Sequence, residues 1–209
     1  MMKLIRYIFA AVSLAFAGMP FAEACGPTYN DIPRPCFFAS SSRPETLRDA
    51  QIRQNILLWQ QQTSPRIPLA DIRQAVYADD YKTFASRSQD TAEDNAFYTF
   101  IRNAGDREAV DFLLTAKELE ETRRKINSPW YYPKDRNSGN ADVFQDIIDR
   151  CGAYKGRRFG DRYALQMIRA CFAAGRYQDC IDIFDARLAS LTDDNLMRRM
   201  ALGYVAGCW

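Results

Sequence analysis

The chain has no histidine among its 209 residues. This absence removes Ser-His-Asp and Cys-His nucleophiles, histidine-based zinc sites and histidine-ligated haem. Any chemistry would rest on carboxylates, Lys, Tyr or Cys. The six cysteines include no C-x-x-C pair, and no glycine-rich phosphate loop occurs, so neither a metal nor a cofactor is expected. After Gly18 no apolar run is long enough to span a bilayer, which takes about 20 residues. Charge of one sign is lacking as well. The 28 Lys and Arg nearly balance the 26 Asp and Glu and are interspersed with them, so a nucleic-acid partner is not expected. Strand-like alternation is missing.

The N-terminus carries Lys3 and Arg6, then the apolar run Tyr7 to Gly18, then Ala22-Glu23-Ala24. Positive charge, a short apolar stretch and small residues predict a secretory signal over 1–24, hence export to the periplasm or cell envelope. Cys25 follows directly. Either it begins a soluble mature chain, or it carries a lipid as an outer-membrane lipoprotein; Glu23 fits a lipidation signal poorly. A lipid on Cys25 is the only membrane attachment expected. Residues 25–44 hold Pro27, Pro33, Pro35 and a serine run, and read as an irregular entry segment.

Beyond it the apolar residues recur with helical period. Ile52, Ile56 and Trp59 form one stripe, with Pro44 expected in the first turn, and Leu69, Ile72 and Val76 form a second. Phe97, Phe100, Ile101 and Ala104 form a third, with Thr91 and Asp94 as its expected capping box and Gly105 as its end. Ala109 to Leu119 predicts a long helix reaching Ile126, with KELEETRRK as a solvated, ion-paired face. These make an N-terminal helical part, 45–126. Residues 127–140, with Pro129, Pro133 and Ser138-Gly139, read as a linker loop. A second helical part, 141–209, carries stripes at Phe144–Cys151, Ala164–Cys171, Ile181–Leu188 and Met197–Cys208. The last stripe runs on to Trp209 without a Gly or Pro stop signal, as expected of a fragment or a truncated reading frame. The fold class expected is all-α, with antiparallel hairpins stacked as an array.

One hairpin carries a family resemblance. In CFAAGRYQDCIDIFDARL, Gly175 marks a turn, Tyr177 follows it by two residues, and Cys180, Phe184 and Leu188 recur along the next helix. The segment from Gly160 resembles a tetratricopeptide repeat, a helix–turn–helix unit of about 34 residues. Met200, Ala201 and Tyr204 look like the first helix of a following unit. Ala164, Ile168, Cys171 and Thr192 stand where that family usually has Trp, Gly, Tyr and Pro. The segments ACGP, LLWQ and SPWYYP also resemble those of large exported bacterial helical-repeat proteins. The resemblance implies stacked units that present a concave surface to a protein or peptide.

Three groups of residues could carry function. Cys25 and Cys36 can staple the entry segment by a disulfide in an oxidising compartment, whereas Cys151, Cys171, Cys180 and Cys208 read as small core residues. A Cys171–Cys180 bridge needs Cα atoms within about 7 Å, closer than helix axes usually pack. Trp130, Tyr131 and Tyr132 either stack on a glycan or peptide, or fold back over a helical seam. Glu108, Glu118, Glu120 and Glu121 could supply a glycan-cleaving acid, yet they lie beside Lys117, Arg123, Arg124 and Lys125 and read better as a solvated face. A non-enzymatic binding scaffold at the cell envelope is therefore expected, with a glycan-binding component as the alternative.

Overall fold

The computed structural model describes residues 46–126 and 142–209, all within one compact unit, Glu45–Trp209. The signal and entry segments, Cys25, Cys36, Pro44 and the loop bearing Trp130, Tyr131 and Tyr132 lie outside the described residues. Among the described residues there are nine α-helices and no strand.

Helix α1 (Leu47–Gln62) opens on a capping box: Thr46 accepts from Asp49 N, and the Asp49 carboxylate accepts from Thr46 N. Ile56 and Trp59 are its buried residues. Because Thr46 is the cap, the first turn begins at Leu47, three residues later than a helix with Pro44 in its first turn would allow. Helix α2 (Leu69–Arg73) runs into a π turn, Gln74–Ala78. That wider turn brings Ala75 onto the buried face with Ile72, while Leu69 is exposed.

A short helix, α3 (Tyr81–Arg87), has no counterpart in the periodicity of the sequence, since Phe84 alone is buried. Helix α4 (Ala96–Asn103) is capped by Asn95, whose Oδ1 accepts from Phe97 N and Tyr98 N. The expected Thr91–Asp94 box is not the cap. Asn95 lies closer to the helix and satisfies two otherwise orphaned donors at once.

Helix α4 ends at Gly105 (φ +60), with Gly105 N bonded to Arg102 O and Asp106 N to Ile101 O. This is the paired cap that needs a left-handed residue. Asp106 then caps helix α5 (Arg107–Ile126) through Ala109 N.

The C-terminal part holds α6 (Gln145–Ala153), α7 (Gly160–Ala173), α8 (Tyr177–Arg187) and α9 (Leu196–Ala206). Gly175 (φ +75) closes α7 with the same two bonds, Gly175 N to Phe172 O and Arg176 N to Cys171 O. Helices α7 and α8 then pack along their length, and α9 lies against both. The buried face of α8 carries Cys180, Phe184 and Leu188, with Ile181 at its margin and Ile183 half-buried beside it.

Helix α7 is the hub, packed on α5, α6, α8 and α9. A helix in that position must be buried on nearly every side, and its buried residues run from Arg162 through Ile168. The expected stripe of Ala164, Met167, Ile168 and Cys171 is only part of this surface.

The two helical parts share aromatic packing. Trp59 lies 5.8 Å from Phe97, 6.0 Å from Phe112 and 5.4 Å from Phe159, measured between ring centroids. Phe112 stacks on Phe159 at 5.4 Å and meets Tyr163 edge-on at 5.2 Å. Trp59, on α1, therefore joins helices from both sides of the 127–140 loop.

Candidate functional site

The four glutamates of α5 do not converge. Glu108 accepts from Tyr154 OH, Glu118 pairs with Arg150, Glu120 pairs with Arg169 and Arg123, and Glu121 pairs with Lys125. Each is neutralised or hydrogen-bonded separately along the helix.

Lys117 departs from the expectation of a solvated face. It is 7% exposed, and its ammonium donates to Asp79 O (2.5 Å) and Val76 O (3.3 Å) while lying over the Phe84 ring. It ties off the carbonyl end of the π turn. Burial lowers its pKa to about 8.

Beside it lies a closed charge network. Arg87 holds Glu93 through two parallel bonds of 2.6 and 2.7 Å and Asp79 at 2.9 Å, and Tyr98 OH donates to Asp79 at 2.7 Å. The Arg87 bonds hold the Glu93 carboxyl down to about 2. Burial and the Asp79 carboxylate raise Tyr98. This Arg–carboxylate–Tyr set clamps α3 and α4 to the π turn.

A second polar set crosses the two parts. Arg162 is 3% exposed; its guanidinium donates to Asn55 Oδ1 (2.7 Å) and lies 4.6 Å from the Trp59 ring. Burial lowers its pKa to about 10. Asn55 in turn donates to Tyr77 OH at 2.7 Å. One turn on, Gln166 accepts from Arg169, and Arg169 also reaches Glu120 and Tyr204 OH. Arg162, Gln166 and Arg169 are thus a polar line at helical spacing on the hub helix, and each finds its partner on another element or the next turn. Their spacing within an otherwise apolar segment was a legible signal that the stripe reading passed over.

The residues that carry the repeat resemblance divide. Cys180 and Leu188 are fully buried and Phe184 nearly so, whereas Tyr177 lies 5.6 Å from Phe172 and is half exposed. Cys151, Cys171, Cys180 and Cys208 are all free thiols, and the first three are buried. Burial pushes Cys151 up to about 12. Among the described residues no three metal-ligating side chains are arranged to hold a metal ion, and no helix is long and apolar enough to cross a membrane.

Two surfaces stand out among the described residues. A shallow groove of about 500 Å³ lies between the α1–α2 connection and α4, lined by Ile67, Ala96, Thr99 and Phe100 among others. The other is the outer side of α9. Leu202 is 39% and Trp209 91% exposed, Ala206 lies exposed between them, and Val205 is half-buried at the margin. Leu202, Val205 and Ala206 fall at i, i+3 and i+4 on α9, with Val205 packed partly against the core, and Trp209 lies past the helix end.

The chain belongs structurally to the all-helical class. Compared with family models, curated proteins and solved structures, it matches none of them.

Proposed function

We propose that the chain is an exported, non-enzymatic helical-repeat scaffold of the cell envelope that binds a protein or peptide partner. In this reading α7 and α8 form a repeat unit, and α9 is the first helix of the next. The Gly175 turn, the close packing of α7 on α8 and the seating of α9 against both support it.

The observation that carries the binding reading is the exposed apolar pair Leu202, on α9, and Trp209, three residues past its end. In this reading the pair contributes to an interaction site. The partner is an amphipathic helix that lays its own apolar stripe against the pair. Covering a Trp and a Leu side chain is worth a few kcal/mol at about 25 cal/mol per Å².

Selection from a displayed library of random 16-residue peptides tests this, with the full chain as bait. Enriched peptides should share an apolar i, i+3/i+4, i+7 pattern and should not bind the Leu202→Asp/Trp209→Glu variant. Absence of enrichment, or peptides that bind the variant equally well, would contradict the reading.

The triplet Trp130, Tyr131 and Tyr132 supports the alternative of a glycan-binding envelope component. Binding on a glycan array that Trp130→Ala abolishes would favour that alternative.

A further inference from the structure

Helix α9 lies beside α7 and points the same way. Asn195, the cap of α9, donates to Asp161 in the first turn of α7 at 3.3 Å, and Arg169 Nε donates to Tyr204 OH at 3.3 Å. The Phe172 and Tyr204 rings, near the ends of the two helices, lie 5.5 Å apart. The two bonds join residues 34 and 35 apart, so α9 stands one such step along the chain from α7. Helix α8 runs the opposite way. The Cys180 thiol donates to Ile168 O at 3.3 Å, and the Tyr177 ring, at the start of α8, meets Phe172 near the end of α7 at 5.6 Å.

A step of 34 residues carries Tyr163 and Met167 of α7 onto Met197 and Ala201 of α9, and all four are buried. The same step carries Ile168, Cys171 and Phe172 onto Leu202, Val205 and Ala206. On α7 the first two are fully buried and Phe172 is half-buried, with α8 against Ile168 and Phe172. On α9 Leu202 and Ala206 are exposed and Val205 is half-buried. The open side of α9 is therefore the one that corresponds to the seat of α8 on α7. One turn before Leu202, where α7 has the buried Ala164, α9 has Arg198. Its guanidinium pairs with Asp193, its Nε has no acceptor among the described residues, and its side chain keeps 21% exposure, enough for a second carboxylate to reach it.

We propose that the outer side of α9 seats an amphipathic helix of a partner protein, laid antiparallel as α8 lies on α7, with its apolar stripe over Leu202 and an acidic C-terminal end at Arg198. This seating rests on the binding reading above and adds the partner's direction and charge. Direction follows from charge. The C-terminal end of a helix carries unsatisfied carbonyls and the negative pole of its dipole. Laid antiparallel, that end meets Arg198 in the first turn of α9, and a carboxylate in the partner's last turn pairs with the same guanidinium. Laid parallel, the partner's unsatisfied N–H groups would face the guanidinium, positive against positive.

Two synthetic 16-residue peptides, acetylated and amidated, test the seating on the full chain. Both carry Leu and Phe at i, i+4, i+7 and i+11; one has two Glu in its last turn, the other has the two Glu in its first turn. Affinities are measured by fluorescence anisotropy with dye-labelled peptide. Leu202→Asp should weaken both peptides by more than about tenfold. Arg198→Gln should weaken the peptide with C-terminal Glu by about fivefold and the other by less than about twofold. Circular dichroism should show each variant as helical as the parent. Taking each loss within one peptide removes the difference in helix propensity between the two. Equal losses, or a larger loss for N-terminal Glu, would overturn the seating and leave the binding reading standing. Binding of neither peptide, or binding indifferent to Leu202→Asp, would also overturn the seating; the library selection then decides the binding reading separately.

Discussion

The turns at Gly105 and Gly175 are the same piece of backbone used for different ends. Both glycines take a positive φ, and both turns make the same two capping bonds. After Gly175 the helices fold back and pack side by side. After Gly105 they touch mainly near the turn, and α5 runs on towards α3 and α7.

The difference lies in the flanking side chains. Around Gly175 both helices carry buried apolar residues, Ile168 and Cys171 on one and Cys180 and Phe184 on the other. Around Gly105 the following helix places Asp106, Glu108 and Lys117 against other partners: Arg158, Tyr154 and the π turn. A turn sets where a helix ends; the pattern after it sets what the next helix meets. The C-terminal part is accordingly held by apolar faces, and the N-terminal part is held by polar clamps as well.

The largest effect is expected where the two parts meet. Trp59→Ala removes a fully buried indole that touches Phe97, Phe112 and Phe159, and should cost about 3–5 kcal/mol. Chemical denaturation followed by helix content and by aromatic signals should still give one transition, since both parts lean on this ring. Two separated transitions in the parent would break the account of a shared core.

Next comes the N-terminal clamp. Glu93→Gln leaves Arg87 with half its partners and should cost about 2 kcal/mol, less than for a fully enclosed pair because Arg87 keeps 22% side-chain exposure. Because the folded pKa of Glu93 is lowered to about 2 from 4.5, its contribution is present above about pH 4.5 and lost as pH falls towards 2. The variant should lack that part of the acid sensitivity in a pH series of unfolding curves.

Lys117 gives a rise with pH in a higher window. Its folded pKa is lowered to about 8 from 10.5, so the unfolded chain binds more protons between those values. Stability should rise by about 1–2 kcal/mol across that window in the parent, and this rise should be absent in Lys117→Met.

The smallest effects sharpen the comparison of the turns. Gly105→Ala and Gly175→Ala meet no atom within 4 Å, so only backbone strain is introduced. Each should cost about 1 kcal/mol, and by similar amounts. A much larger loss at Gly175 would show that the hairpin depends on its turn more than the shared geometry implies.

What could be read beforehand follows the same division. Helices with an apolar period, such as Phe97 to Ile101 and Ala109 to Leu119, were legible because burial itself writes the period. Helix α3 was not, since one buried Phe84 has no period. The π turn was not, because it shifts the face between Ile72 and Ala75. Lys117 and Arg162 were misplaced or passed over for a common reason: a charge is buried only when distant carbonyls, amides or rings are brought to it, and these lie tens of residues away. The cysteines read as small core residues, and Cys151, Cys171 and Cys180 are buried.

The proposed docking face can be read from one fluorophore. With Trp59 and Trp130 replaced by Phe, Trp209 is the sole indole, 91% exposed just past the end of α9. Titration with a peptide selected on the parent chain, after binding to the double variant is verified by an independent method, should shift Trp209 emission to the blue and shield it from iodide. Retained binding with no change in either signal would contradict the account.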